Sequence, residues 1–271
     1  MIKDHSISKN ISIHNRIAKI YDSRHAEIFN DVEQSRLRES LLASKAQIRT
    51  ETAKKNALDF GCGSGNLTRH LLALDFQVTA ADVSVDFLRI VDRQFSNIIT
   101  LLMNGSDLYG IPDEHFDFIA VYSVLHHIPD YLKAIAELAR VCKPGGVIFL
   151  DHERTEEFWK GDLIYKEFLD YGRRRDWRKY LKLSNYVHKI RRFFNPRHAN
   201  EGDIHVWPDD HIEWGRIVEL LLSKNCKLVL KQHYLLYQPI YRMEVYDQYK
   251  DLCSDTCLMV FRKQEASHEA K

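Results

Sequence analysis

Three glycines at alternate positions, Gly61, Gly63 and Gly65, follow a short apolar run that ends at Phe60. Glycine has no Cβ and tolerates positive φ, so such a turn bends sharply and brings bare backbone against a ligand. A helix-forming run, Leu67–Leu74, comes next, and a helix N-terminus offers unpaired N–H groups and the positive end of its dipole. The segment therefore predicts a ligand-binding turn between a strand and a helix.

Asp82 closes the next apolar run, Gln77–Ala81. An acid at the tip of the second strand is placed to accept hydrogen bonds from the two hydroxyls of a nucleoside ribose. The glycine turn alone is a weak signal, and an acid at this spacing strengthens it. Together the two features predict a cofactor that contains a nucleoside.

Titratable side chains follow two later apolar runs. His126 and His127 come just after one run, and Asp151 and His152 close another. Such strand ends face the ligand crevice of an open α/β sheet, and histidine is suited to remove a proton from a hydroxyl or amine acceptor. We interpret His152 with Asp151 as the better-placed candidate for a catalytic base and His126 as the second. The alternative interpretations are a hydrogen-bonded strand end and a wall of the cofactor pocket.

Apolar runs and helix-forming runs alternate along the chain that must position these residues. This order implies parallel strands joined by crossover helices. The predicted strands are Leu58–Phe60, Val78–Ala81, Ile98–Met103, Phe118–Tyr122 and Val147–Leu150, and the predicted helices are Arg24–Arg49, Leu67–Leu74, Val85–Gln94 and Tyr131–Cys142.

The alternation stops after Asp151. Residues 153–205 are aromatic, basic and helix-like, and we interpret them as an insertion. The regular pattern returns with a predicted helix, Asp209–Ser223, and two predicted strands, Cys226–Lys231 and Cys257–Arg262. The chain is thus predicted to be one α/β domain with an insertion after the fifth strand.

Length and composition narrow the class of protein. The 271 residues suit one α/β domain with insertions, and a net charge of +1 gives no general field for nucleic acid or membrane. No stretch approaches the roughly 18 apolar residues of a membrane-spanning helix, and five scattered cysteines suit a reducing compartment, so we expect a soluble cytoplasmic protein. Cys253 and Cys257 could share a helix face and bind a metal, although buried thiols are the simpler interpretation.

Residues 57–151 resemble the class I S-adenosylmethionine-dependent methyltransferases, and their motifs are most similar to the ubiquinone and menaquinone C-methyltransferase type. Asp59–Gly65 matches the D-x-G-C-G-x-G loop of that family, Ser123–Asp130 its segment after strand four, and Lys143–Gly146 its turn before strand five. The resemblance implies S-adenosylmethionine as the cofactor. It also implies a Rossmann-like α/β fold, with a doubly wound, mostly parallel seven-stranded sheet and an antiparallel last strand.

The resemblance further assigns cofactor contacts. It implies that the glycine loop meets the methionine end of the cofactor, that Asp82 holds the ribose and that Asp107 faces the adenine. Tyr21 resembles the N-terminal tyrosine that folds over the cofactor. The complete set of implied cofactor residues is Tyr21, Asp59, Gly61, Cys62, Gly63, Gly65, Asp82, Val83, Asp107, Leu108 and Ser123.

The insertion is our candidate for the acceptor pocket. Its arginines, Arg191 and Arg192 among them, alternate with aromatic residues. This pattern suits a solvated helix face, a pocket for an anionic and partly apolar acceptor, or a membrane-surface patch. His127, His205 and Trp207 are the other expected acceptor contacts.

A metal site is a further alternative near the end of the insertion. Asp203, His205 and His211 have spacing that permits one, with His152 as a possible fourth ligand in space. We favour the role of His205 in lining the acceptor pocket and expect no metal.

We expect residues 1–52 to form an N-terminal helical segment that covers the cofactor, and residues 53–271 to form the methyltransferase domain with its insertion at 153–205. The expected reaction is O-methylation of a small molecule that carries phosphate or carboxylate, with C-methylation of a quinone-like ring as the alternative. A nucleic-acid acceptor is not expected, because the N-P-P-Y type motif of nucleobase amino-methyltransferases does not follow the fourth strand. An NAD-dependent oxidoreductase and a non-catalytic cofactor-binding protein are the alternatives from other classes.

Overall fold

The computed structural model describes residues 25–105, 107–174 and 211–265. The strands in these residues are β1 (Asn56–Phe60), β2 (Gln77–Asp82), β3 (Ile99–Leu102), β4 (Phe116–Tyr122), β5 (Cys142–Arg154), β6 (Cys226–Tyr234) and β7 (Thr256–Lys263). The helices are α1 (Asp31–Lys45), α2 (Asn66–Ala73), α3 (Val85–Gln94), α4 (Tyr131–Val141), α5 (Glu156–Lys160), α6 (Leu163–Gly172), α7 (Trp214–Ser223) and α8 (Met243–Tyr249).

The strands form one seven-stranded sheet in the order β3-β2-β1-β4-β5-β7-β6. Strands β1 to β5 are parallel to one another, whereas β7 runs antiparallel to both β5 and β6. The predicted doubly wound, mostly parallel sheet with an antiparallel last strand is therefore confirmed. The strand order reverses between β1 and β4, so the carboxyl ends of these two strands open a crevice between them.

Helices cover both faces of the sheet. All seven residues of β4 are buried, which explains why this strand reads as a continuous apolar run rather than an alternating one. Leu37 and Leu41 of α1 pack in one core cluster with Phe118 and Phe149. The N-terminal helix is thus part of the core of the domain, and Asn30 caps it by accepting a hydrogen bond from the backbone N–H of Glu33.

Three details of the sequence prediction are wrong. The first predicted helix, Arg24–Arg49, is longer than the observed α1. Helix α7 begins at Trp214 rather than Asp209, because the Trp214 ring is buried and donates its N–H to the carbonyl oxygen of Arg154. Cys253 and Cys257 do not share a helix, since Cys257 lies in β7. Helices α5 and α6 lie in the insertion that was expected to be helical, whereas α8 was not predicted. None of the described helices is long and apolar enough to cross a membrane.

Candidate active site at the carboxyl ends of β1 and β4

The glycine turn joins β1 to α2 with a left-handed backbone. Gly61 has a φ of 76° and Gly63 a φ of 48°. A Cβ atom on Gly61 would lie 2.6 Å from the side chain of Val124, so this glycine allows close packing of two loops. A Cβ atom on Gly63 would meet no described atom within 4 Å. Gly63 therefore presents its backbone to open space rather than to the protein interior.

An open cavity of about 380 Å³ lies against this turn, between the ends of β1 and β4. Ile28 and Phe29, which precede α1, form part of its wall. The remaining lining residues are Asp59, Gly61, Cys62, Gly63, Ser64, Asn66, Leu67, Tyr122, Ser123 and Val124.

Asp59 and Asn66 bring unsatisfied polar atoms to this cavity. Asp59 is fully buried, and its Oδ2 accepts a hydrogen bond of 2.6 Å from the hydroxyl of Thr68. Its Oδ1 and both polar side-chain atoms of Asn66 are buried without a hydrogen-bond partner in the part of the chain that the structure describes. Buried polar atoms are rarely left unsatisfied, so a ligand that donates and accepts hydrogen bonds fits here.

The pKa of the Asp59 carboxyl lies well above its ordinary value. Burial raises its pKa to about 7, the hydrogen bond from Thr68 opposes that rise, and the nearby charge of Asp82 adds to it. A cationic ligand group at Oδ1 would reverse the effect by favouring the carboxylate. Asp59 is therefore suited to bind a positively charged group.

Asp82 holds the glycine turn in place. Its Oδ2 accepts a hydrogen bond of 2.9 Å from the backbone N–H of Gly63, and its Oδ1 accepts one of 2.8 Å from the backbone N–H of Ser84. Burial raises the pKa of Asp82, and these backbone hydrogen bonds partly offset the rise. Val83 lies between the two contacts and is partly exposed. The residue predicted to bind the ribose is thus connected directly to the predicted cofactor turn.

Asp107 lies in the loop after β3, where it organises a local turn. Its Oδ1 accepts hydrogen bonds from the Asn104 amide at 2.8 Å and the Tyr109 backbone N–H at 3.2 Å. The hydrogen bond from Asn104 is the main reason that the pKa of Asp107 is lowered. The adjacent Leu108 is buried. The assignment of both residues to the adenine end stays a prediction.

Glu153 connects the end of β5 to the loop after β4. Its Oε1 accepts hydrogen bonds from the backbone N–H groups of Val124 at 3.0 Å and Leu125 at 2.7 Å. Its Oε2 lies 2.8 Å from Nδ1 of His126. The His126 and His127 rings are 4.0 Å apart at their centroids. Both histidines therefore lie on a short 3₁₀ turn, Leu125–His127, that one buried carboxylate holds and that follows the lining residue Val124.

The carboxylate of Asp151 is buried and bonds to other groups of the protein. Its Oδ2 forms an ion pair of 2.8 Å with Arg36 of α1. Its Oδ1 accepts hydrogen bonds from the Tyr234 hydroxyl at 3.0 Å and from the backbone N–H of His152 at 2.7 Å. Both oxygens are thus engaged, so this geometry favours a structural role for Asp151 over its predicted role in catalysis.

His152 follows with a left-handed backbone at φ 66°, and its ring lies 4.6 Å from the ring of Tyr122. Tyr122 lines the cavity and donates its hydroxyl to Glu33 of α1 at 2.8 Å. Burial raises the pKa of Glu33, and Arg36 partly offsets the rise. Glu33 and Arg36 were missed by sequence analysis, because nothing in their local pattern distinguishes them from other charged helix residues.

Several predicted site residues lie outside the residues that the structure describes. These are Tyr21, Arg191, Arg192, His205 and Trp207. The same applies to Asp203 of the alternative metal site, whereas His211 is described. In residues 25–105, 107–174 and 211–265, no group of three or more His, Cys, Asp or Glu side chains could hold a metal ion.

Comparison with known proteins finds methyltransferases among the relatives of this chain. The family model described as "Methyltransferase domain" matches residues 58–150. A demethylmenaquinone methyltransferase from Bacillus licheniformis is 29% identical over 168 residues, which span 59% of this chain and 71% of that protein. A ubiquinone biosynthesis O-methyltransferase from Pasteurella multocida is 32% identical over 147 residues, which span 49% of this chain and 60% of that protein.

Solved structures share the fold. A SAM-dependent methyltransferase from Methanosarcina mazei superimposes with a TM-score of 0.50 at 20% identity, covering 79% of this chain and 95% of that one. The glycine turn, the open space at Gly63 and the unsatisfied atoms of Asp59 and Asn66 fit the cofactor of such enzymes. Residues 58–150 therefore form a methyltransferase domain of the S-adenosylmethionine-dependent type.

Proposed function

We propose that this enzyme methylates a hydroxyl oxygen of a small aromatic acceptor of the quinol type. The observation that carries the proposal is the open cavity between the glycine turn and the loop after β4, because a histidine paired with a carboxylate lies on that loop. The names of the two relatives support a quinone-type ring as the acceptor. Since one of them is an O-methyltransferase, hydroxyl methylation is consistent with the chemistry of these relatives.

The cofactor would be held by groups at the base of the cavity. Gly61, Gly63 and Asp82 would make the backbone and ribose contacts, while Asp59 and Asn66 would bind the charged methionine end. When bound, S-adenosylmethionine supplies an electrophilic methyl group. The protein then chiefly has to align the acceptor with that group, and such alignment can contribute about 7 to 11 kcal/mol to lowering the barrier.

His126 is our candidate for the base that removes the hydroxyl proton. Its Nδ1 is 2.8 Å from Glu153, an arrangement that orients a histidine for proton transfer. His152 is the second candidate, because its ring lies against Tyr122 at the cavity. His127 would contact the acceptor beside His126.

The remaining contacts would come from the N-terminal segment and from the insertion. Ile28 and Phe29 already line the cavity, which supports the proposal that the N-terminal segment covers the bound cofactor. Arg191 and Arg192 of the insertion would bind a carboxylate or phosphate on the acceptor, with His205 and Trp207 beside its ring. Loops at the carboxyl edge of such a sheet can change acceptor specificity without disturbing the core. A membrane-surface patch and a solvated helix face are the alternative roles for these arginines.

One probe can separate the two reactions. 1,4-Dihydroxynaphthalene can be methylated on oxygen or on a ring carbon, and NMR of the product tells a methoxy group from a ring methyl group. We expect a methoxy product when the protein is incubated with S-adenosylmethionine carrying a ¹³C-labelled methyl group. A ring-methyl product would support the C-methyltransferase alternative.

Two comparisons complete the experiment. The wild-type protein should turn over 3,4-dihydroxybenzoate with a lower KM than catechol, and this difference should disappear in Arg191→Ala/Arg192→Ala. NADH should not bind, whereas S-adenosylhomocysteine should. If none of these hydroxyls receives the labelled methyl group, the proposed acceptor class is wrong.

A further inference from the structure

We propose that Glu153 is the positioning residue of this active site, because it fixes His126 in the tautomer that carries its proton on Nδ1. The proposal rests on the proposed function, in which His126 is the base. In that tautomer the lone pair of the ring is on Nε2, and Nε2 is then the atom that accepts the proton of the acceptor hydroxyl. Neither Glu153 nor His126 is among the residues that line the cavity, and the turn that carries His126 directly follows the lining residue Val124. In the proposed reaction Glu153 does not touch the proton that moves.

The two oxygens of Glu153 make different contacts. Oε1 accepts both backbone N–H groups of the turn, from Val124 and Leu125, and Oε2 faces Nδ1 of His126 at 2.8 Å. An ionised carboxylate accepts hydrogen bonds and donates none, so the imidazole must donate through Nδ1–H. The side chain of Glu153 is 2% exposed and that of His126 is 12% exposed. Solvent therefore competes little with this pair.

The same carboxylate fixes the position of the histidine relative to the cofactor turn. Val124, whose N–H is held by Glu153, packs so closely over Gly61 that a Cβ there would lie 2.6 Å from it. Glu153 thus joins the candidate base, the loop after β4 and the glycine turn. A displacement of this loop by a fraction of an ångström would alter the distance between base and acceptor, and small misplacements of this kind are costly in rate.

The proton balance is simple. The hydroxyl O–H bond breaks, and its proton forms an N–H bond on Nε2. The oxygen would use the electron pair that it keeps to bond the methyl group, while the methyl–sulfur bond of the bound donor breaks and its electron pair stays on the sulfur of the leaving thioether. The imidazolium formed carries the positive charge beside the Glu153 carboxylate, which stabilises it. Loss of a proton to solvent then restores neutral His126.

Glu153→Gln separates this role from a merely structural one. The amide oxygen of glutamine can still accept both N–H groups of the turn, but its NH₂ group would face Nδ1 and donate to it. His126 would then carry its proton on Nε2. We expect kcat with 1,4-dihydroxynaphthalene to fall about 100-fold or more, the typical contribution of a general base. The affinity for S-adenosylhomocysteine and the KM for the acceptor should change less than twofold.

Asp117→Asn is a matched control. Asp117 is also fully buried, accepts a backbone N–H from Asn56 at 2.8 Å and forms an ion pair with Lys143 at 2.9 Å, but it lies near the opposite end of β4. This variant should lower the Tm and leave kcat within twofold. If Glu153→Gln behaves in the same way as Asp117→Asn, the positioning role is wrong.

Nuclear magnetic resonance tests the tautomer without any acceptor, and so separates this inference from the proposed function. The chain has 14 histidines, and the difference from His126→Gln assigns the ¹⁵N signals of His126. We expect the Nδ1–H tautomer in the wild-type protein at pH 8 and the Nε2–H tautomer in Glu153→Gln. An Nε2–H tautomer or a persistent imidazolium in the wild-type protein at that pH would overturn the inference, even if Glu153→Gln does not fold.

Discussion

The guanidinium of Arg36 lies 2.8 Å from the carboxylate of Asp151, and this ion pair joins helix α1 to the end of strand β5. Arg36 also bonds Glu33 and lies 3.9 Å above the ring of Tyr234. The Asp151 side chain is fully buried and that of Arg36 is 15% exposed. The segment that reaches the cavity through Ile28 and Phe29 is thus attached to the sheet by buried charges.

We predict that Arg36→Met destabilises the protein by about 3 to 5 kcal/mol, because it leaves two buried carboxylates without their cation. Thermal unfolding should show a large decrease in Tm. Arg216→Ala removes an exposed i, i+3 pair with Glu213 and should leave the Tm nearly unchanged. The double variant Arg36→Met/Asp151→Asn should recover part of the loss. Equal Tm values for Arg36→Met and the wild type would contradict the structural importance of this pair.

Asp82→Ala should weaken cofactor binding at least tenfold, which corresponds to about 1.4 kcal/mol. The substitution removes the carboxylate that holds Gly63 and that we expect to accept the ribose hydroxyls. Calorimetric titration with S-adenosylhomocysteine measures the effect. Asp86→Ala, at an exposed position on α3, is the control and should leave the affinity as it is. Unchanged affinity in a folded Asp82→Ala variant would rule out the ribose assignment.

Gly63→Ala should impair cofactor binding by occupying the ligand space. Gly161→Ala is a matched control, because both glycines have positive φ and open space at the position of a Cβ. Each substitution should cost stability through backbone strain of about 1 to 2 kcal/mol. Only Gly63→Ala should lower the affinity for S-adenosylhomocysteine. Similar affinities in the two variants would show that the space at Gly63 is not used by the cofactor.

Cofactor affinity should rise with pH through about 7, because the pKa of Asp59 is raised to about 7 and its ionised form is the one that binds a cation. Below that pH, binding must release the proton, which titrations in two buffers of different ionisation enthalpy would detect. In Asp59→Asn the proton release should disappear and the affinity should be lower across the range. A wild-type affinity that is constant from pH 6 to 8 would contradict this linkage.

Asp59→Asn should raise the stability of the protein at pH 8, although it lowers the cofactor affinity. A carboxyl whose pKa is raised by folding contributes stability at low pH that is lost as the pH rises through the folded value, here about 7. Asp59→Asn has no charge to bury, so its Tm at pH 8 should be higher than that of the wild type. A lower Tm would indicate that the ionised form of Asp59 is stabilised by the protein.

Local sequence patterns were enough to predict the order of the seven strands, the helices between β1 and β5, and the position of the glycine turn. The βα alternation, the glycine spacing and the acid that ends β2 are local features, because each depends on the backbone conformation and burial of one short segment. Asp59, Gly63 and Asp82 could therefore be chosen from the sequence alone. The boundaries of α1 and α7 were less accurate, since a cap or a buried tryptophan rather than periodicity decides where these helices begin.

Which titratable side chains contact one another, in contrast, depends on the tertiary structure. Asp151, His152 and Glu153 are consecutive, yet Asp151 faces Arg36 of α1 while Glu153 faces His126 and the turn after β4. Asp151 and Glu153 project into different surroundings because the β5–β7 register shifts between Leu150 and Glu153. Partners that are 27 or 115 residues apart in the chain leave no local pattern, so only the order of strands in the sheet and the docking of α1 brought them together.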